Sequence, residues 1–168
     1  VNVVWAADGL AKDHHWQASI IARSTITAAY NYSGTGKKPE PKKLKTTTYW
    51  CASESDSNAA KNGLNYGGAV GNGMNTARQL GNLPANVCTP NYLADQAKQL
   101  AEGQDNLTTS ILSEAQMQEL KMGSLLSVSS GSVEPANLIV MNYKGPDSSI
   151  KPVVLVGQAV TFDTGGIV

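Results

Sequence analysis

Three kinds of side chain in this sequence could do chemistry: a carboxylate at a glycine-rich bend, a pair of histidines and a thiol between prolines. The carboxylate is Asp163, within "VGQAVTFDTGGIV" (156–168). It follows an apolar run that reads as a buried strand, and in open α/β sheets ligands gather at the carboxyl ends of strands. The two glycines after it let a backbone or a ligand approach closely. An aspartate that merely caps a turn gives the same local pattern, and the residues alone leave both readings open. His14 and His15 are neighbours. On a helix they point about 100° apart and cannot easily share one metal. With no carboxylates or cysteines clustered at ligand spacing, they read as surface histidines. Cys88 lies in "LPANVCTP". A catalytic thiol needs a basic partner, none is local, and a buried structural cysteine is expected.

Several other chemistries are excluded by spacing. "GTGKK" hints at a phosphate-binding loop, but the first glycine of that motif would fall on Asn31 and Lys38 replaces its Ser/Thr. "GGAVGNG" fails the dinucleotide spacing and precedes no suitable acidic residue. The lysines of 37–45 are broken by prolines and a glutamate and lack interleaved aromatics, so they read as a solvated loop. The formal net charge is +0, which gives no reason to expect attraction to nucleic acid or to anionic membranes. No apolar run approaches the roughly 20 residues that span a bilayer. Cys51 and Cys88 make neither a disulfide framework nor a zinc ribbon, and a reducing cytoplasm is expected. The sequons at Asn31 and Asn106 matter only in a secreted protein.

The elements that would position these groups follow from periodicity. Residues 13–30 read as a helix begun by Asp13, and "TTTYWCAS" (46–53) as a strand. These look like the end of an α/β unit whose earlier strands are missing. Residues 54–82 carry Val70, Met74 and Ala77 at helical spacing, with Gly63, Gly67 and Gly71 together on one side. Each interior glycine costs a helix about 1 kcal/mol, so this helix needs tertiary support, and its glycine stripe would let another backbone come close. Thr89 as N-cap, Pro90 at the first helical position and Gly103 at the end frame another helix. "LTTSIL" (107–112) is a strand, and Ser113 with Gln116 forms a capping box for a helix ending near Gly123. "ANLIVMNYKG" (136–145) and "KPVVLVG" (151–157) read as further strands, the unbroken "VVLV" as a central one covered on both faces. Strand and helix alternation argues for an α/β sheet.

Four stretches carry a resemblance. "GMNTARQLGNLPANVCTPNYLADQA" (73–97), "MGSLLSVSSGS" (122–132), "LIVMNYKG" (138–145) and "PVVLVGQAVTFDTGGI" (152–167) resemble, in order and spacing, the leucyl aminopeptidase family. The last is similar to that family's "PIVLVGKGVTFDSGGI" site strand. The region "AAYNYSGTGKKPEPKKLKTTTYW" resembles the closing helix, lysine-rich loop and strand of the family's N-terminal domain. The fold implied is α/β: the end of an N-terminal α/β domain (1–53), a linker helix (54–84) and the first part of a catalytic domain with a mixed central sheet (85–168).

The resemblance further implies a cytoplasmic homohexamer that removes N-terminal residues from peptides with two divalent metals, Mn²⁺ or Zn²⁺. No nucleic acid or membrane partner is implied. Asp163 falls on the family's metal-ligating aspartate, and Gln158 on its metal-ligating lysine. Two adjacent metals bind the free amine, polarise the scissile carbonyl and generate a hydroxide. A glutamine offers a weakly basic amide oxygen in place of an amine, which favours Mn²⁺ or Mg²⁺ over Zn²⁺ and looser binding. The family's other metal ligands, its catalytic lysine and its "NTDAEGR" arginine would lie beyond Val168. One carboxylate cannot hold two metals, so this stretch by itself is expected to be inactive, with no catalytic residue of its own. The alternative is a family member kept as a structural or interaction protein after losing catalysis. A non-catalytic small-ligand or nucleotide-binding domain is disfavoured by the failed phosphate motifs.

Overall fold

The computed structural model describes residues 2–6, 11–32, 34, 43–147 and 149–162. The chain divides into two compact units, Val1–Leu83 and Pro84–Val168. The first holds β1 (Asn2–Ala6), α1 (His14–Ala28), β2 (Thr46–Trp50) and α2 (Glu54–Asn82). The strands run parallel, Asn2 opposite Thr46 through Ala6 opposite Trp50. β1 is a strand that the sequence analysis does not name, and "NVVWA" supplies one parallel neighbour for β2.

Both helices of this unit begin on side-chain caps. The Asp13 carboxylate accepts from the Trp16 backbone N–H at 2.7 Å and the Ser53 hydroxyl from that of Asp56 at 3.1 Å, each satisfying a donor that the helix leaves orphaned. The two helices lie side by side and run in the same direction: Gly63 meets His15, Gly67 meets Ser19, and Gly71 meets Arg23 and Ile26. These three glycines are buried together with Ala60. A Cβ at Gly63 or Gly67 would land on the carbonyl oxygen of His15 or Ser19, so the helices touch backbone to backbone as the stripe predicted. The far end of the contact is polar. α1 has no basic residue in its last turn. Its late carbonyls accept instead from α2: Asn75 Nδ2 donates to Ile26 O and Arg78 Nη1 to Thr27 O, both at 3.0 Å. Tyr30 closes the set, donating to Gln79 and accepting from Asn82, each at 3.1 Å.

The second unit contains α3 (Pro90–Ala101), β3 (Leu107–Leu112), α4 (Glu114–Glu119), α5 (Gly123–Ser129) and β4 (Leu138–Tyr143). β3 and β4 are antiparallel, from Leu107 opposite Tyr143 to Leu112 opposite Leu138. α3 packs on β3, where the Thr109 hydroxyl donates to Ala97 O at 3.0 Å. Ala94, Ala97, Met117, Cys88 and Ala136 form the buried core, with Met117 wholly buried. The capping box at Ser113 and Gln116 is present as expected. α4 stops early, however. Lys121 N–H bonds to Gln118 O and Met122 N–H to Met117 O, a Schellman ending that puts Lys121 at φ 58°. "GSLLSVS" then forms α5, which the serine-rich composition concealed.

One predicted strand is not formed. Residues 151–160 belong to no helix or strand, and Val153, Val154, Leu155 and Val156 are 76–93% exposed. β-branched composition favours an extended backbone, but a ladder also needs a partner edge. β3 and β4 pair with each other, and no described element covers either face of the run.

Candidate functional site

The sequence directs attention to the stretch after β4. Its geometry begins at a tight Asx-type turn, where Asp147 Oδ1 accepts from the Ser149 backbone N–H at 2.9 Å and from its hydroxyl at 2.7 Å. Those bonds favour the ionised carboxylate and hold the Asp147 pKa below its usual value. The chain then runs exposed, outside any helix or strand, through Gln158. Asp163, the carboxylate of the predicted site, lies outside the described residues, as do Gly165 and Gly166.

The entrance to this stretch is braced from its own unit. Asn137 Nδ2 donates to Asn91 Oδ1 at 2.8 Å, joining the approach to β4 to the start of α3. The Ala136 backbone N–H donates to Glu114 Oε1 at 2.8 Å, joining it to the start of α4. Glu114 is thereby used as a brace. Cys88 is buried, and desolvation raises its thiol pKa, so the thiol form is favoured and the structural reading holds. Both cysteines are free.

Among the described residues, no group of three or more His, Cys, Asp or Glu is placed to hold a metal ion. His14 is more engaged than its sequence neighbourhood suggested. Its Nδ1 lies 2.8 Å from Tyr49 Oη on β2, and its Nε2 3.6 Å from Asp56 Oδ2 on α2. The rings of His14 and Tyr49 meet edge-on at 5.9 Å. A sequence scan misses this cluster because its members are brought together by helix and strand packing across 35 to 42 positions of chain, the second figure being 56 − 14. His15 is exposed and packs against the Tyr66 ring.

Comparison with known proteins decides the family. The model of the cytosol aminopeptidase family's catalytic domain matches residues 75–168, more than half of the chain. The chain belongs to the cytosol aminopeptidase family. Its relatives include a probable cytosol aminopeptidase of Saccharophagus degradans, 48% identical over 151 residues, which cover 89% of this chain and 30% of that protein. Another, from Paraburkholderia phytofirmans, is 48% identical over 153 residues, covering 90% of this chain and 29% of the relative. Among solved structures, a tomato leucine aminopeptidase mutant superposes with a TM-score of 0.74 at 27% identity, covering 87% of this chain and 30% of that one. The bottromycin maturation enzyme BotP in complex with Mn gives 0.67 at 26% identity, with the same coverage of 87% and 30%. These likenesses agree with the α/β class, small parallel and antiparallel sheets carried with helices. The chain spans about 30% of the length of the relatives it matches. No helix among the described residues is long and apolar enough to cross a membrane.

Proposed function

We propose that this chain is part of a leucyl-type metalloaminopeptidase that hydrolyses the N-terminal residue from peptides. The observation that carries the reading is the match of residues 75–168 to the family's catalytic domain. The first unit, with α2 as the link to that domain, serves in this reading as the end of an N-terminal domain. Two divalent metals, Mn²⁺ or Zn²⁺, belong to the proposal, supported by the Mn complex of a structural relative. Asp163 and Gln158 are the residues of this stretch assigned to them. Because these two donors do not complete a metal centre, catalysis is assigned to the longer protein, and the 168 residues alone are proposed to be inactive. A homohexamer acting in the cytoplasm on peptide substrates completes the proposal.

A second reading is favoured by one residue. Gln158 stands where the family's metal-ligating lysine is expected, and an amide oxygen is a weaker donor than an amine. That substitution suits a relative that has kept the fold for a structural or interaction role. Leucine release from a leucyl peptide by the full-length protein, with Mn²⁺ and with a chelator control, separates the two. Chelator-sensitive turnover supports the enzyme; its absence in a folded full-length protein supports the non-catalytic relative. Gln158→Lys should tighten metal binding measured by calorimetry, and equal affinity would remove Gln158 from the metal site.

A further inference from the structure

Two asparagines of α2 are each followed by glycine, at Asn62–Gly63 and Asn72–Gly73, and this dipeptide occurs nowhere else in the chain. An Asn–Gly pair carries its own chemistry. With no side chain on the glycine to obstruct it, the glycine backbone nitrogen attacks the asparagine Cγ. The N–Cγ bond forms, the Cγ–Nδ2 bond breaks, and the proton given up by the backbone nitrogen leaves with Nδ2 as ammonia. Water then opens the five-membered imide at either carbonyl. The product is an aspartate, or an isoaspartate whose main chain runs through Cβ and Cγ. A helix blocks the attack. It engages the glycine N–H with the carbonyl four residues back, and its ψ holds the asparagine Cγ away from that nitrogen. Reaction therefore waits for the helix to open locally.

The two sites share one chemistry and differ in what opening disrupts. Gly63 is buried, and a Cβ there would land on the His15 carbonyl oxygen, so freeing it breaks the seam with α1. Its neighbours Ala59, Ala60, Lys61 and Leu64 are good helix formers. Asn72 and Gly73 are exposed, and a Cβ on Gly73 would meet nothing within 4 Å. The helical partner of the Gly73 N–H is the carbonyl of Ala69, which is exposed as well. Both residues lie on the far side of the helix from Gly67, so that bond opens without parting the seam. Gly67, Gly68, Gly71 and Gly73 crowd this segment, and each weakens the local helix about fivefold relative to alanine.

We propose that Asn72 is a site of spontaneous deamidation, exposed by local opening of the glycine-rich middle of α2, while the seam protects Asn62. The new carboxylate, and in the isoaspartate an extra main-chain atom, falls just before Asn75 and Arg78, which hold the Ile26 and Thr27 carbonyls of α1. Modification thus loosens the end of α1. Ageing the purified protein in mildly alkaline buffer and mapping deamidated peptides by mass spectrometry supplies the test. The same ageing in denaturant gives the intrinsic rate of each site. Normalised to that rate, Asn72 should react at least about tenfold faster than Asn62, since 67–73 holds four glycines where 58–64 holds one. Parity, a faster Asn62 or an unreactive Asn72 would overturn the proposal. Gly68→Ala, whose Cβ would meet Ile26 Cδ1 at an ordinary 3.9 Å, should slow Asn72 about fivefold. Gly81→Ala, at the helix end with open space around it, should leave Asn72 unchanged. No slowing by Gly68→Ala, or equal slowing by both variants, would also overturn the local opening.

Discussion

Replacing Gly67 by alanine would place a methyl group where α1 and α2 touch. Helix propensity alone favours the change by about 1 kcal/mol. At Gly73, on the same helix, an added Cβ meets nothing within 4 Å, so Gly73→Ala should gain that full amount. At Gly67 the Cβ would fall on the Ser19 carbonyl oxygen and lie 2.7 Å from the Ser19 carbonyl carbon and Cα. Ordinary contact begins near 3.4 Å, and backbone cannot rotate aside as a side chain can. The helices must separate by roughly an ångström, which forfeits a quarter to a half of the dispersion energy along the seam and costs about 1–3 kcal/mol of overpacking. Gly67→Ala should therefore be net destabilising by up to about 2 kcal/mol, a fall of up to several degrees in Tm, whereas Gly73→Ala rises by about 2–4 °C. Gly71→Ala, whose Cβ would meet Ile26 Cβ and Cγ2 at 3.0 Å, should fall between them because a shift of a few tenths of an ångström relieves that contact. Thermal melts followed by far-UV circular dichroism measure all three. Equal stabilisation by Gly67→Ala and Gly73→Ala would refute the backbone-to-backbone seam.

Other substitutions probe the remaining joints. Lys121→Gly should stabilise the chain by about 1 kcal/mol in urea denaturation, because Lys121 holds a left-handed φ of 58° without glycine's freedom. Ser113→Ala should cost about 1 kcal/mol by removing the hydroxyl half of the α4 capping box, read by the same titration. Arg78→Ala should speed hydrogen exchange at the end of α1 more than at its start, since Arg78 holds the Thr27 carbonyl. Alkylation followed by mass spectrometry should modify half-buried Cys51 before Cys88, whose thiolate is disfavoured by burial. As pH rises, Cys88 reactivity should lag behind that of Cys51.

Most helix and strand positions were legible because their signals are local. Asp13, Thr89 and Ser113 cap the helices that follow them, and each cap uses only atoms within three residues. The glycine stripe was legible for a related reason: three costly residues on one side of a helix demand a neighbour that needs the space. Whether "VVLV" pairs could not be read from its composition, because pairing is decided by edges supplied elsewhere in the chain. β1 was missed for the converse reason, a short apolar segment whose strand character depends on β2. α5 was hidden by serines, which compete for backbone hydrogen bonds and blur helical periodicity. At the candidate site, Gln158 and Asp163 are proposed through resemblance alone, while the engagement of His14 needed the packing of α1, β2 and α2. Two histidines in sequence say nothing of a tyrosine hydroxyl and a carboxylate arriving from other elements.

The seam between α1 and α2 also bears on how this unit responds to temperature. Its contact surface is built from three glycines, Ala60 and the Ile26 side chain, with a polar end at Asn75 and Arg78. Such small residues bury less hydrocarbon than a leucine-packed seam, and apolar area is what raises the heat capacity of unfolding, whereas polar area lowers it. The helix pair should therefore unfold with a small heat-capacity increment for its length. Its stability curve would be broad and flat, losing less on cooling than an oil-packed helix pair of the same size.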